Sequence, residues 1–220
     1  DLAPPSPATE PLNALVARRV EDLTAYQSAR YARGYAEFVA TIRAAHPAEE
    51  RLARAVAIQL HRLMAYKDEY EVARLHSLPE WQDALARGFT GTQAIEMHLA
   101  PPTLGRAKRR FGPWMFRAMG WLRYGKVLRG TMLDPFGRTE ERRTERALPD
   151  EFRAGIERLM GEDYATACAW AEAWAGVKGF GPVKAQNLAA TRARLAEIVG
   201  ALPPRAPPPK AEEPVDTNTP

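Results

Sequence analysis

The chain has 220 residues, of which 45% are hydrophobic and 26% charged, and its formal net charge is +4. This composition is that of an ordinary globular domain. One cysteine, Cys168, excludes an internal disulfide, and alone it cannot build an iron–sulfur or structural zinc site. No run of about 18 apolar residues occurs, so the sequence predicts no membrane-spanning helix and favours a cytoplasmic protein.

The start of the chain has the composition of a linker. Residues 1–11 contain four prolines, and they show neither the basic region nor the apolar run of a signal peptide. The first residue is Asp1 rather than methionine. We therefore expect the chain to be a piece of a longer polypeptide, with a linker over 1–11 and a helical domain over 12–200.

Helical periodicity dominates the first half of this domain. Apolar residues recur at steps of three and four from Leu12 to Ala44, and Pro47 ends the run. The same pattern predicts a second helix from Ala48 to about Leu75, and a short third helix that Gly88 closes.

The segment YKDEYEVARL, Tyr66 to Leu75, is unusually polar and aromatic for a helix of a packed domain. A continuous helix would place Tyr66 beside Tyr70 and Lys67 beside Glu71. Such a group could be an acid–base cluster, a lattice of ion pairs or a docking surface. We interpret it as a lattice or an interface with another protein surface; the residues assigned to the interface are Tyr66, Lys67, Asp68, Glu69, Tyr70 and Glu71.

Residues 100–137 are rich in proline and glycine and are expected to form an irregular basic excursion around one short helix, Trp114 to Tyr124. No acid occurs between Glu96 and Asp134. This stretch could bind a nucleotide-containing cofactor, a nucleic acid or an acidic protein, or it could be a packed helix with solvated arginines. The candidate phosphate-binding or acidic-partner patch is Arg106, Lys108, Arg109 and Arg110.

Three further helices are expected after the excursion. They cover about Thr139 to Met160 with an interruption near Pro149, Tyr164 to Ala175, and Val183 to Val199. The proline-rich residues 201–220 are expected to form a disordered tail. The predicted fold class is mainly α, and the best strand candidate, Thr92 to Leu99, is short.

Gly179, Phe180 and Gly181 precede the last predicted helix, with Lys184 nearby. This spacing is that of a helix-hairpin-helix, whose turn amides and helix N-terminus hold a DNA phosphate. Glycines around an aromatic residue also make tight turns between helices. Nucleic-acid binding is therefore the alternative function. No catalytic or metal-binding motif is present, and we assign no catalytic or metal-ligating residue.

Five strings in order resemble one known family. They are MAYKDEYEVARL (64–75), MHLAPP (97–102), FGPWM (111–115), LRGTMLDPFGRTEERRTERAL (128–148) and GFGPVKAQNLAATRAR (179–194). Together they resemble the C-terminal extension of fused bacterial indolepyruvate ferredoxin oxidoreductases, members of the 2-oxoacid:ferredoxin oxidoreductase family.

The resemblance implies a parent enzyme that oxidatively decarboxylates arylpyruvates to acyl-CoA with thiamine diphosphate and 4Fe–4S clusters and passes electrons to ferredoxin. It also implies a homo-oligomeric parent whose upstream catalytic domains carry these groups. This chain has none of the cluster cysteines, so we transfer no cofactor ligand to it. The expected role is a non-catalytic helical domain that packs on the catalytic core or the dimer interface, with no membrane or nucleic-acid partner.

Overall fold

The computed structural model describes residues 6–88, 96–99 and 109–201, and within these ranges the fold is mainly α-helical, as predicted. The α-helices are α1 (Leu12–Tyr26), α2 (Ala29–Ala45), α3 (Arg51–Met64), α4 (Glu69–His76), α5 (Pro79–Gly88), α6 (Trp114–Leu122), α7 (Glu140–Leu159), α8 (Tyr164–Ala173) and α9 (Gly181–Gly200). Two 3₁₀ helices, Arg123–Leu128 and Trp174–Gly176, continue α6 and α8. Strands β1 (Met97–Leu99) and β2 (Arg109–Phe111) pair antiparallel, with Met97 opposite Phe111.

Side-chain caps break two of the predicted long helices. The hydroxyl of Ser28 accepts a hydrogen bond from the Tyr31 amide at 3.2 Å and starts α2. The carboxylate of Asp68 accepts from the Glu71 amide at 2.8 Å and starts α4. Each cap satisfies an amide that has no partner within its helix. The predicted single helices over 12–44 and 48–75 are therefore wrong, and each is a pair of helices.

The predicted interruption near Pro149 is also wrong, because α7 runs through it without a break. A proline inside a helix removes one backbone hydrogen bond and costs roughly 3 kcal/mol. Here Pro149 is buried, and the same face of α7 buries Leu148, Phe152 and Ile156 completely. We attribute the continuity of the helix to this packing.

A large apolar core lies among α1, α2, α3, α7, α8 and α9. Its aromatic centre is Phe152, Trp170 and Trp174, whose ring centroids lie 5.5–5.8 Å apart. Cys168 is fully buried in this core, as predicted for a small apolar side chain. A second, smaller core joins α4, β1 and α6 through Ala73, Met97 and Met119.

Both predicted ends of the chain extend beyond the described residues, since 1–5 and 202–220 are outside them. The described part of the predicted linker packs against the domain. Glu10 is buried and forms an ion pair with Arg18, and Arg54 donates hydrogen bonds to the carbonyl oxygens of Pro7 and Glu10 at 3.1 and 2.6 Å. None of the helices in the described ranges is both long and apolar enough to cross a membrane.

Candidate functional site

The segment 66–71 lies inside the domain. Four of the six residues assigned to an interface, Tyr66, Asp68, Tyr70 and Glu71, are buried, and only Lys67 is exposed. Tyr66 lies before the cap of α4, so it does not share a helical surface with Tyr70. The docking surface predicted here is therefore wrong for the buried side chains, which contact this chain. The ion-pair lattice, the other prediction for this segment, describes these contacts better.

Arg129 is the main partner of this segment. Its guanidinium donates two hydrogen bonds to the Asp68 carboxylate, at 2.6 and 2.9 Å, and lies 3.8 Å from the centre of the Tyr26 ring. It also donates to the Tyr26 carbonyl and the Gln27 side chain, both at 2.8 Å. Burial lowers the pKa of Arg129, but the hydrogen bond to Asp68 and the nearby Asp68, Tyr26 and Tyr66 together outweigh it and leave the pKa above its usual value. Every nitrogen of the guanidinium and both oxygens of the carboxylate therefore have a hydrogen-bond partner.

Asp134 plays a similar role for the loop that follows. Its carboxylate is 3% exposed and accepts hydrogen bonds from the Tyr70 hydroxyl, the amides of Gly130 and Phe136, and the Arg146 guanidinium, all between 3.1 and 3.3 Å. Burial and the neighbouring Asp134 carboxylate both raise the pKa of Tyr70. The hydroxyl is therefore a donor at neutral pH and is not poised for proton transfer.

A third group connects α4 to the last two long helices. Arg142 donates to Glu69 at 3.0 Å and to Glu145 at 2.6 Å, and Lys184 donates to Glu145 at 2.5 Å. We call these three groups together the buried ion-pair network, although half of its side chains are only partly buried. The buried side chains are those of Asp68, Arg129, Asp134 and Glu145, and the partly buried ones are those of Glu69, Arg142, Arg146 and Lys184. It joins the segments 66–71, 129–146 and 184, which belong to three of the five strings of the resemblance.

The network has the chemistry of a structural element. Each carboxylate in it accepts from at least one cation, and charges of opposite sign that are buried and paired stay fixed. Within residues 6–88, 96–99 and 109–201, no three histidine, cysteine or carboxylate side chains come together as a metal site. The network therefore holds the segment 123–138 against α4.

The glycine turn before α9 has the expected backbone. Gly179 and Gly181 have φ angles of +93° and +54°, which glycine adopts without strain, and Phe180 between them is exposed. The Gly181 amide, however, donates to the Glu141 carboxylate at 3.1 Å. Lys184, the expected phosphate ligand, is bound to Glu145. Groups that would hold a DNA phosphate in a helix-hairpin-helix are occupied by carboxylates of this chain.

The predicted basic patch is described in part. Arg106 and Lys108 lie outside the described residues, whereas Arg109 and Arg110 lie on β2 with exposed side chains. Arg110 forms a loose ion pair with Glu96, 3.5 Å from Nε to the carboxylate. Arg109 has no ion pair within the described ranges, so its charge faces solvent.

An exposed apolar surface follows these arginines in the chain, within the stretch 100–137 for which a binding role was one of the expectations. Trp121 is 79% exposed and Met132 is 92% exposed. The other strongly exposed large apolar side chains of the described residues fall in the same segment or at the start of α9; they are Trp114, Tyr124, Val127, Leu133, Phe180 and Val183. The signal in the sequence was the spacing of seven residues from Trp114 to Trp121 and of three from Trp121 to Tyr124, which a helix places on one side.

Comparison with known proteins gives one match. Residues 12–197 match the model of a family of unknown function, DUF6537. The searches of curated proteins and of solved structures returned no match. The matched range covers most of the chain and includes the buried ion-pair network and the exposed apolar surface. The chain belongs to the DUF6537 family.

Proposed function

We propose that this chain is a non-catalytic accessory domain of an indolepyruvate ferredoxin oxidoreductase, an enzyme that oxidatively decarboxylates arylpyruvates to acyl-CoA. The proposal rests on the five ordered strings, 64–75, 97–102, 111–115, 128–148 and 179–194. In the parent enzyme, thiamine diphosphate and 4Fe–4S clusters would be held by the upstream catalytic domains, CoA would be a substrate, and ferredoxin would accept the electrons.

The observation that supports an accessory role is the buried ion-pair network. Three of the five strings supply its charged side chains, and the network binds those side chains to one another. Charged groups paired in this way are held in place, and removal of one partner leaves an unpaired charge inside the domain, so we assign these groups a structural role. The domain would then act by packing on the catalytic core or across the dimer interface of the parent.

The test is made on the full-length polypeptide that contains residues 1–220. We expect it to reduce ferredoxin when indolepyruvate and CoA are both present. We expect a version that lacks residues 12–200 to lose activity or to dissociate into smaller oligomers, because a packing surface would be missing. A full-length protein that has no activity dependent on 2-oxoacid and CoA would refute the proposal.

A finer part of the proposal concerns Arg109 and Arg110, which would contact CoA phosphates or an acidic surface of ferredoxin. Reversal of both charges to glutamate should raise the KM for CoA or for ferredoxin. Reversal of Arg30 and Arg33, which are exposed on α2, is the matched control and should leave both constants unchanged. If the Arg109 and Arg110 variant also leaves both constants unchanged, the patch has neither role.

Nucleic-acid binding is the alternative function, and the positive φ angles of Gly179 and Gly181 favour it. Fluorescence anisotropy of labelled duplex DNA, measured over a series of salt concentrations, separates the two proposals. A DNA-binding domain should show affinity that falls steeply with salt. Because Glu141 and Glu145 occupy the amide and lysine of the turn, we expect no such binding.

A further inference from the structure

Helix α6 is apolar on both of its sides. One side packs into the smaller core, where Met119 is buried against Ala73, and Met115, Phe116 and Leu122 lie around it. The other side carries Trp114 and Trp121, which are 60% and 79% exposed. A helix with large apolar side chains on both sides is normally covered on both. Within the described residues the second side of α6 has no cover.

The exposed side continues into the following 3₁₀ helix. Trp114, Arg117, Trp121, Tyr124 and Val127 follow one another at steps of three or four residues, so they form one stripe along both helices. We call these five residues the apolar stripe. Met132 and Leu133 lie in the turn that follows and are also strongly exposed. Contiguous apolar surface of this kind marks an interaction site on a soluble domain.

The buried ion-pair network fixes the position of the stripe. Arg129, one residue after the 3₁₀ helix, is held by Asp68, and the Lys126 ammonium donates to the Ala25 carbonyl at 2.6 Å. Gly125 lies so close to the Tyr70 ring that a Cβ there would come within 2.6 Å of it. The stripe is thus attached to α1 and α4 on its inner side. An attached surface loses little conformational entropy when it binds.

The exposed charges of the segment 109–139 are positive. Arg117 lies within it, and Arg138, whose guanidinium donates to the Met132 carbonyl at 3.4 Å, lies at its edge. Neither arginine has an ion pair in the described part of the chain. Asp134 is the first acid after Glu96, and its carboxylate is buried. The surface therefore combines an apolar centre with cations and presents no exposed carboxylate from 109 to 139.

We infer that the apolar stripe docks on an acidic protein surface with an apolar centre. The identity of this partner rests on the proposed function, by which it is the catalytic part of the same polypeptide. A second copy of this face would place Arg117 and Arg138 against like charges. Nucleic acid would suit the tryptophans and arginines, but the aliphatic side chains Val127, Met132 and Leu133 offer no flat face for a base. A protein surface suits both kinds of side chain.

The test is site-specific photo-crosslinking in the full-length polypeptide, in the cells that produce it. The photoreactive residue p-benzoylphenylalanine replaces Trp121, and in a matched control it replaces Arg33, which is exposed on α2. Mass spectrometry identifies the crosslinked peptide. We expect Trp121 to crosslink to a protein segment outside 1–220 that is rich in aspartate or glutamate, and Arg33 to give no crosslink to that segment.

A second variant tests the charge. Arg117→Glu together with Arg138→Glu should lower the Trp121 crosslink yield about tenfold, because acids would then face acids. Arg30→Glu together with Arg33→Glu adds the same charge elsewhere and should leave the yield unchanged. Circular dichroism of both variants checks that the fold is retained.

The outcomes separate the two proposals. A crosslink to an acidic segment of a protein that is not a 2-oxoacid oxidoreductase supports the inference and contradicts the proposed function. A crosslink to nucleic acid, to the same stripe of a second copy, or to another part of residues 1–220 overturns the inference. So does the lack of any crosslink from Trp121, or a yield that charge reversal leaves unchanged.

Discussion

Removal of the cation of the Asp68–Arg129 pair should be among the most damaging single changes in this domain. Arg129→Met keeps an unbranched apolar stem and removes the guanidinium. Asp68, whose side chain is 4% exposed, then keeps one backbone donor, the Glu71 amide at 2.8 Å. The Tyr26 carbonyl and the Gln27 side chain each lose a donor as well.

The expected loss of unfolding free energy follows from this geometry. A buried charge that loses its partner costs about 3–5 kcal/mol, against a total stability of about 5–15 kcal/mol for a domain. Urea unfolding of the 220-residue chain, followed by circular dichroism, measures the loss. With a slope of about 2 kcal/mol per molar urea, the midpoint should fall by about 2 M.

Two further variants isolate the cause. Arg129→Met combined with Asp68→Asn should regain about 2 kcal/mol relative to Arg129→Met, because the carboxamide still caps α4 and carries no charge. Arg51→Met removes a pair of similar geometry that is exposed to solvent, in which Arg51 donates two hydrogen bonds of 2.8 Å to Glu172. This change should lower the free energy of unfolding far less than Arg129→Met does. A loss of stability for Arg51→Met as large as that for Arg129→Met, or a double variant that regains nothing, would show that burial of the pair is not the cause.

Three other outcomes are expected, each measured by urea unfolding. Gly125→Ala should destabilise the chain by about 1–3 kcal/mol, because the added methyl group meets the buried Tyr70 ring. Gly120→Ala is the control: Gly120 has open space around it in α6, so this change should be neutral or slightly stabilising. Gly34→Ala, also with open space in α2, should stabilise by about 0.5–1 kcal/mol, and no gain would contradict the helix-propensity argument. Burial, with nearby arginines, lowers the pKa of His61 to about 3, so the unfolded chain takes up a proton near pH 6.5 before the folded chain does. Stability should therefore fall by about 2 kcal/mol between pH 6.5 and 5, and His61→Gln should remove that share of the pH dependence.

The helices were predictable from the sequence because their apolar spacing is regular, and the fold class is confirmed. Their breaks were harder to place. Ser28 and Asp68 are common N-cap residues, but each lies inside a periodic pattern that reads as one longer helix. Pro149 is the opposite case, since a local breaking signal is overruled by burial of the helix face around it. Both errors arise because packing decides between local alternatives of similar free energy.

The segment 66–71 shows why the site was harder to predict than the fold. Asp68 and Glu69 are separated by 61 and 73 residues from their partners Arg129 and Arg142, and sequence spacing cannot show that such distant groups meet. When the partners of a charged residue are unknown, its charge alone predicts an exposed side chain. For Trp121 the sequence left two alternatives open, a binding stretch or a packed helix, and its side chain is 79% exposed.

The burial of the charged segment 66–71 and the exposure of Trp121 have one physical origin in the structure. The network uses its charges inside the domain to fix the segment 123–138 against α4, and this leaves the apolar stripe to face outward. A domain with Asp68 and Arg129 exposed and the stripe buried would keep the same composition and periodicity. The two arrangements differ in which surface is left for a partner. The carboxylates of the segment 66–71 are already paired within this chain. A partner that covers the apolar stripe and meets Arg117 and Arg138 therefore gains more binding free energy than one that meets the charged segment.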